Sequence, residues 1–238
     1  MTICFRLLFA MALLAAVPKL SASDVILNVD NPATAVAAAN KANDLEKKGD
    51  LKGAIGYYSA AIKIDPGMYV AVYSRGVAYM QLHQWDQAIS DFGSALRISP
   101  SFMLAGIKRA EVNQITGHYD KALAELNHII QLHPRIHTDA MARSGRSWIY
   151  ATCPNSAFRN GKQAVADATA ACKIDAWDSW DYIDTLAAAH AEAGDFEKAI
   201  KFESKAIRKL HNSDAIKSAQ ERLALYQQQK PYRVAASH

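Results

Sequence analysis

Cysteine, proline and glycine are all scarce in this sequence: three, seven and eleven among 238 residues. Few prolines and glycines beside abundant alanine favour helix over sheet. One cysteine, Cys4, lies near the start, and Cys153 and Cys172 are 19 residues apart with no C-x-x-C spacing. A thiol redox pair therefore has no motif here. No phosphate-binding glycine loop, paired-carboxylate constellation or nucleophile elbow is present, which argues against an enzyme. No long basic run exists, so nucleic acid has no electrostatic footprint to bind. No apolar segment of membrane-spanning length follows the apolar run near the start.

That first segment stands apart. "MTICFR" carries one arginine, "LLFAMALLAAV" is an unbroken apolar run, and "PKLSAS" ends in small residues. This is the layout of a secretory signal peptide over residues 1–23, with cleavage expected after Ala22 or Ser23. Eleven apolar residues fall short of the roughly 20 that a spanning helix needs. The mature chain is thus expected to be exported, to the periplasm or beyond, and not to span a membrane. Losing Arg6 and Lys19 lowers the basic residues from 27 to 25, against 23 acidic ones. Half of the residues are hydrophobic, enough to bury a core.

What fills the rest of the chain is a repeat. Pro66, Pro100 and Pro134 follow one another at intervals of 34, as do Ala54, Ala88 and Ala122, and Ala61, Ala95 and Ile129. Three columns in one register mark a repeat array. Within "WDQAISDFGSALRI", Ala88, Ile89, Phe92, Ala95 and Leu96 share one face of a 3.6-residue period. "AVYSRGVAYMQL" reads as a second helix, where Gly76 lets its neighbour approach. The recurring proline lacks an N–H and ends each unit.

This pattern resembles the tetratricopeptide repeat, best in residues 69–102, where Gly76, Tyr79, Trp85, Ala88, Phe92, Ala95 and Pro100 fit. The resemblance implies an all-α fold, a right-handed α-solenoid of antiparallel helix pairs. The units would be 35–68, 69–102, 103–136, 140–178 and 180–213, after an extended N-terminal segment 24–34. A capping helix 214–229 and a flexible tail 230–238 would follow, since a stacked array needs a polar end. Ala164 comes 42 residues after Ala122. The eight extra residues divide into three before the fourth unit and five in its central turn, "NSAFRNG". "ATCP…RNGKQAV" with the final "LALYQQQKPYR" is also similar to an exported bacterial subgroup.

The resemblance places a binding groove on the first helices of the units. Its expected lining is Val70, Tyr73, Val77 and Met80, then Leu104, Ile107, Glu111 and Gln114, then Ser144, Trp148 and Ala151, and finally Asp181, Asp184 and Ala188. The groove would be apolar and aromatic in the middle and acidic at its far end, suited to an amphipathic helix or extended peptide of a partner protein. Asn43 and Lys108 match only part of the carboxylate-binding set some family members carry. Phe158 and Arg159, pushed outward by the enlarged turn, are further candidate contacts. No cofactor or metal is expected. His128, His133 and His137 lack ligand spacing. Two alternatives stay open. The groove could be filled by the N-terminal segment or by a second copy in a homo-oligomer. An enzyme could use Cys153, although helix geometry separates it from Cys172 by on the order of 15 Å and the plain reading is two buried free thiols.

Overall fold

The computed structural model describes residues 32–132 and 135–235, and helices are the only regular elements among them. The expected leader, nearly all of the segment 24–34, the pair His133–Pro134 and the last three residues lie outside the described residues. In chain order the helices are α1 (Pro32–Lys47), α2 (Leu51–Ile64), α3 (Tyr69–Gln81), α4 (Trp85–Ile98), α5 (Met103–Ile115) and α6 (Tyr119–Gln131). They continue as α7 (Ile136–Thr152), α8 (Gly161–Ile174), α9 (Trp180–Glu192), α10 (Phe196–Ile207) and α11 (Ser213–Gln227). A 3₁₀ turn, Ser156–Phe158, lies between α7 and α8.

Consecutive helices pair α1–α2, α3–α4, α5–α6, α7–α8 and α9–α10, and each pair packs on the next. The reason is visible in three columns on the even-numbered helices. Ala54, Ala88, Ala122, Ala164 and Ala199 are fully buried where the paired helix crosses, and Ala61, Ala95, Ile129, Ala171 and Ala206 repeat this two turns later. Between them run Tyr58, Phe92, Leu126, Ala168 and Glu203, also buried. Small residues permit the approach and the larger middle ones fill the space. Gly76 marks how close α3 comes: a Cβ there would sit 2.8 Å from the Phe92 ring.

The tight turn between paired helices needs a left-handed residue, and Gly49, Gly117 and Gly194 supply it at φ near +80°. His83 takes the same turn at φ 58°. A non-glycine residue there carries strain; its ring packs edge-on against Trp85, centroids 5.1 Å apart.

Charge follows the same period. Arg75 of α3 grips Asp91 of α4 through two hydrogen bonds of 2.8 Å, and Arg109 of α5 pairs with Glu125 of α6. In the enlarged unit the pair becomes Arg146 and Asp167, both bonds 2.7 Å. Each bidentate arginine also reaches back to the preceding unit, Arg75 to Ser59 Oγ and Arg146 to Asn127 Oδ1. These ion pairs therefore fix both the pairing and the stacking of helices.

Candidate functional site

The odd-numbered helices stand side by side, α3 on α5, α5 on α7 and α7 on α9. Among the described residues the even-numbered helices α2 to α10 make no comparable contact with one another. Helices closer on one side than on the other curve the stack, with the odd-numbered helices on the inner face.

On that face α3 presents Val70, Tyr73, Val77 and Met80. Val70 is half exposed, and the other three are partly buried. Tyr73 stands on an aromatic floor, edge-on to Phe102 at 5.0 Å and tilted to Phe92 at 5.7 Å. Burial first, and then the carboxylates of Glu111 and Glu46, push its phenol up to about 12, so it keeps its proton and can donate a hydrogen bond at neutral pH. From α5, Leu104 and Gln114 are partly buried beside this stripe, whereas Ile107 is buried in the core. Glu111 is held 2.7 Å from Lys108 Nζ, one turn earlier on the same helix. Asn43 lies 2.6 Å from the Tyr58 hydroxyl. The two groups that matched a carboxylate-binding set are thus both engaged within the chain.

The far end of the face differs from the expectation of an open acidic surface. Ser144, Ala151 and Ala188 are buried because α7 and α9 pack tightly there, with Ser144 Oγ donating to Thr185 Oγ1 at 3.3 Å. Asp181 is exposed at the start of α9. Asp184 is buried and bonded to Arg222 of α11 at 2.6 Å; the capping helix uses its charge, so it is not free for a partner.

Trp148 is partly covered by the segment that follows α11. The segment 230–238 is expected to be a flexible tail, yet Tyr232, Arg233 and Val234 within it pack on α7 and α9. Tyr232 lies on the Trp148 ring, centroids 6.0 Å apart, and the Arg222 guanidinium faces both rings at 6.0 and 5.8 Å. Arg233 donates to the Ala151 carbonyl at 3.1 Å and pairs with Glu192, and the Val234 amide donates to the Thr152 carbonyl at 3.0 Å. The segment lies outside the repeat, so the repeat's spacing does not reveal it. The signal available was an aromatic, an arginine and a valine clustered in "PYRV" within a supposedly free tail.

The enlarged turn is folded inward rather than projecting. Phe158 packs on Tyr119, centroids 5.8 Å apart, at the edge of the core. Arg159 donates to the carbonyls of Cys153 and Pro154 and reaches Glu192 at 3.2 Å. An apolar ring and a charge found partners within the chain, so neither is free on the surface. Cys153 and Cys172 are free and fully buried. Burial pushes both thiols up, which disfavours the thiolate that a cysteine nucleophile needs. His128 lies on α6 and His137 on α7, and His133 lies outside the described residues.

Residues 39–102 match the sequence model of the tetratricopeptide repeat. No curated protein matches the chain. Solved structures do. A thermophilic tetratricopeptide-repeat protein of Thermus thermophilus, TTC0263, is 16% identical, with a TM-score of 0.60 over 82% of this chain and 99% of that one. MamA of Desulfovibrio magneticus RS-1 is 16% identical with a TM-score of 0.56, covering 76% and 96%. YrrB, described as a tetratricopeptide-repeat protein with an unusual peptide-binding site, is 18% identical with a TM-score of 0.55, covering 84% and 96%. The repeat that matches at 39–102 and the helix pairs that continue it to α10 make this a protein of the tetratricopeptide-repeat fold.

Proposed function

We propose that the protein is a non-catalytic scaffold that holds an apolar segment of a partner protein, an amphipathic helix or an extended peptide, on the inner face of α3 and α5. The reading rests on one observation. Val70, 51% exposed, continues into Tyr73, Val77 and Met80 along one stripe of α3, beside Leu104 of α5. Val70 is open and the three that follow it rest on the core with part of their surface showing, and a row of apolar side chains of this kind, rather than a single one, is the mark of a contact surface. The aromatic floor beneath Tyr73 holds it still, so a partner would immobilise little when it binds. That YrrB carries a peptide-binding site on the same fold supports the reading by analogy.

The test is capture by the tagged full-length protein after cross-linking in the native host. A specific partner should fall about tenfold or more with Tyr73→Ala and with Val70→Glu, as for hot-spot residues. Equal recovery by the wild type and both variants would sink the proposal.

The leader pattern further supports a site of action outside the cytoplasm, in the periplasm. Mass spectrometry of the native protein should find a mature N-terminus at Ser23 or Asp24. An uncleaved chain in the cytosolic fraction would overturn that part.

A further inference from the structure

Residues Tyr232 to Val234 lie on α7 and α9 as a bound peptide would. Helix α11 is already closed before it: Gln229, at φ 57°, donates to the Tyr226 carbonyl, and Lys230 to that of Leu225. That is a complete helix terminus. Beyond it, Tyr232, Arg233 and Val234 contact α7 and α9, Arg233 bonding a carbonyl 82 residues back in sequence.

The surface they meet is suited to a cation. Helices α7 and α9 both end there, bringing carbonyls that no helical N–H can satisfy. A helix C-terminus carries partial negative charge, and a carboxylate at that position is unfavourable unless a cation offsets it. Glu192, the last residue of α9, is such a carboxylate, and Arg159 and Arg233 are its two cations. One of these is fixed by the α7–α8 turn, and the other arrives with the terminal segment. Next to this spot lies the Trp148 ring, with Tyr232 on it. The contacts are thus a ring on a ring, an arginine between a carboxylate and a carbonyl, and a main-chain N–H on the Thr152 carbonyl. They are the elements by which an extended peptide is recognised.

We infer that the joined ends of α7 and α9 form a recognition site for an aromatic residue followed directly by arginine in an extended chain. Residues 231–235 are its intramolecular occupant, and a partner segment with the same pair enters by displacing them. The inference rests on the reading that the inner face binds protein segments, and it adds the chemistry of one such segment. A tethered occupant acts at an effective concentration in the millimolar range. The site in the wild type is therefore closed to weak competitors.

The test uses the full-length protein and a fluorescent synthetic peptide of residues 229–238. Fluorescence anisotropy should show the peptide binding Tyr232→Ala/Arg233→Ala at least about tenfold more tightly than wild type, since the internal competitor is released. Arg233→Ala alone should give a smaller gain in the same direction and serves if the double variant does not melt cooperatively. Adding Glu192→Gln to the released variant should remove most of the affinity for the peptide. It should change little for a peptide whose arginine is replaced by alanine. Equal binding to the wild type and a folded released variant, or affinity indifferent to Glu192→Gln, overturns the inference and makes the segment a fixed structural strap. Neither result alters the Tyr73 dependence of partner capture on α3 and α5, so the two readings can fail separately.

Discussion

Glu203 sits where the repeat calls for a large apolar side chain. In α10 it occupies the column held by Tyr58, Phe92 and Leu126 in earlier units, and it is 0% exposed. Burial first, and then the neighbouring Asp184 carboxylate, push its carboxyl from 4.5 up to about 9. It bonds Arg222 through one oxygen, while its other oxygen and the buried Tyr226 hydroxyl have no hydrogen-bond partner among the described residues. Between the unfolded value and about 9 the folded protein keeps a proton that the unfolded chain has released. Stability contributed by this group is complete below pH 4.5 and is lost as pH rises toward 9. Urea midpoints of wild type and Glu203→Gln should therefore diverge, the wild type losing more than about 1.4 kcal/mol relative to the variant between pH 5 and 8, the equivalent of one pKa unit. Parallel curves would refute the assignment. The flanking alanine columns were legible in the sequence because spacing alone declares them. The meaning of Glu203 was not, since its partner Arg222 lies in α11, outside the repeat. Tyr73 and Trp148 show the same limit: period places both on the inner face, but only the folded chain shows that Tyr232 covers one of them.

At the scale of the element, the eight extra residues of the fourth unit explain why its period broke without its packing breaking. The arginine and its acid are 16 residues apart in α3–α4 and α5–α6, and 21 in α7–α8. The difference is the enlargement of the turn, and the pair survives it because the 3₁₀ turn Ser156–Phe158 and the Asn160 cap return α8 to register. The inward fold of that turn was not legible, because neither Tyr119 nor Glu192 is near Phe158 or Arg159 in sequence. Asp167 is buried, and Arg143 at 3.7 Å adds to Arg146 in neutralising it. Asp167→Asn should cost about 3 kcal/mol in chemical denaturation, the range for leaving one member of a buried pair alone. The neighbouring Asp139, one turn from Arg143 and more exposed, should lose no more than about 0.5 kcal/mol when changed to Asn. Comparable losses at the two positions would mean that the cross-helix pair is not what holds α7 to α8.

At the scale of the whole molecule, a stack of helix pairs has stability that is close to a sum of units and nearest-neighbour contacts. Opening at one end then need not be felt at the other. Residues 231–235 break that locality at the C-terminal end, because they follow α11 yet bond to the ends of α7 and α9. They tie the last two pairs and the capping helix into one closed block, whereas α1 to α4 join chiefly the helices next to them in sequence, with a slighter contact of α3 on α5. Native-state hydrogen exchange should therefore divide the molecule. Tyr232→Ala/Arg233→Ala should speed exchange about tenfold or more across the last turns of α7 and α9 and in α11. This is the size expected when two partly buried contacts, an aromatic pair and an arginine–carboxylate pair, are removed together. Amides of α2 to α4 should exchange at their wild-type rates. A uniform acceleration over all helices would mean that the array unfolds as a single unit. No change at α7 and α9 would mean that the terminal segment contributes no closure. Either result would remove the physical basis for treating this end of the inner face as a gated site distinct from the open stripe on α3 and α5.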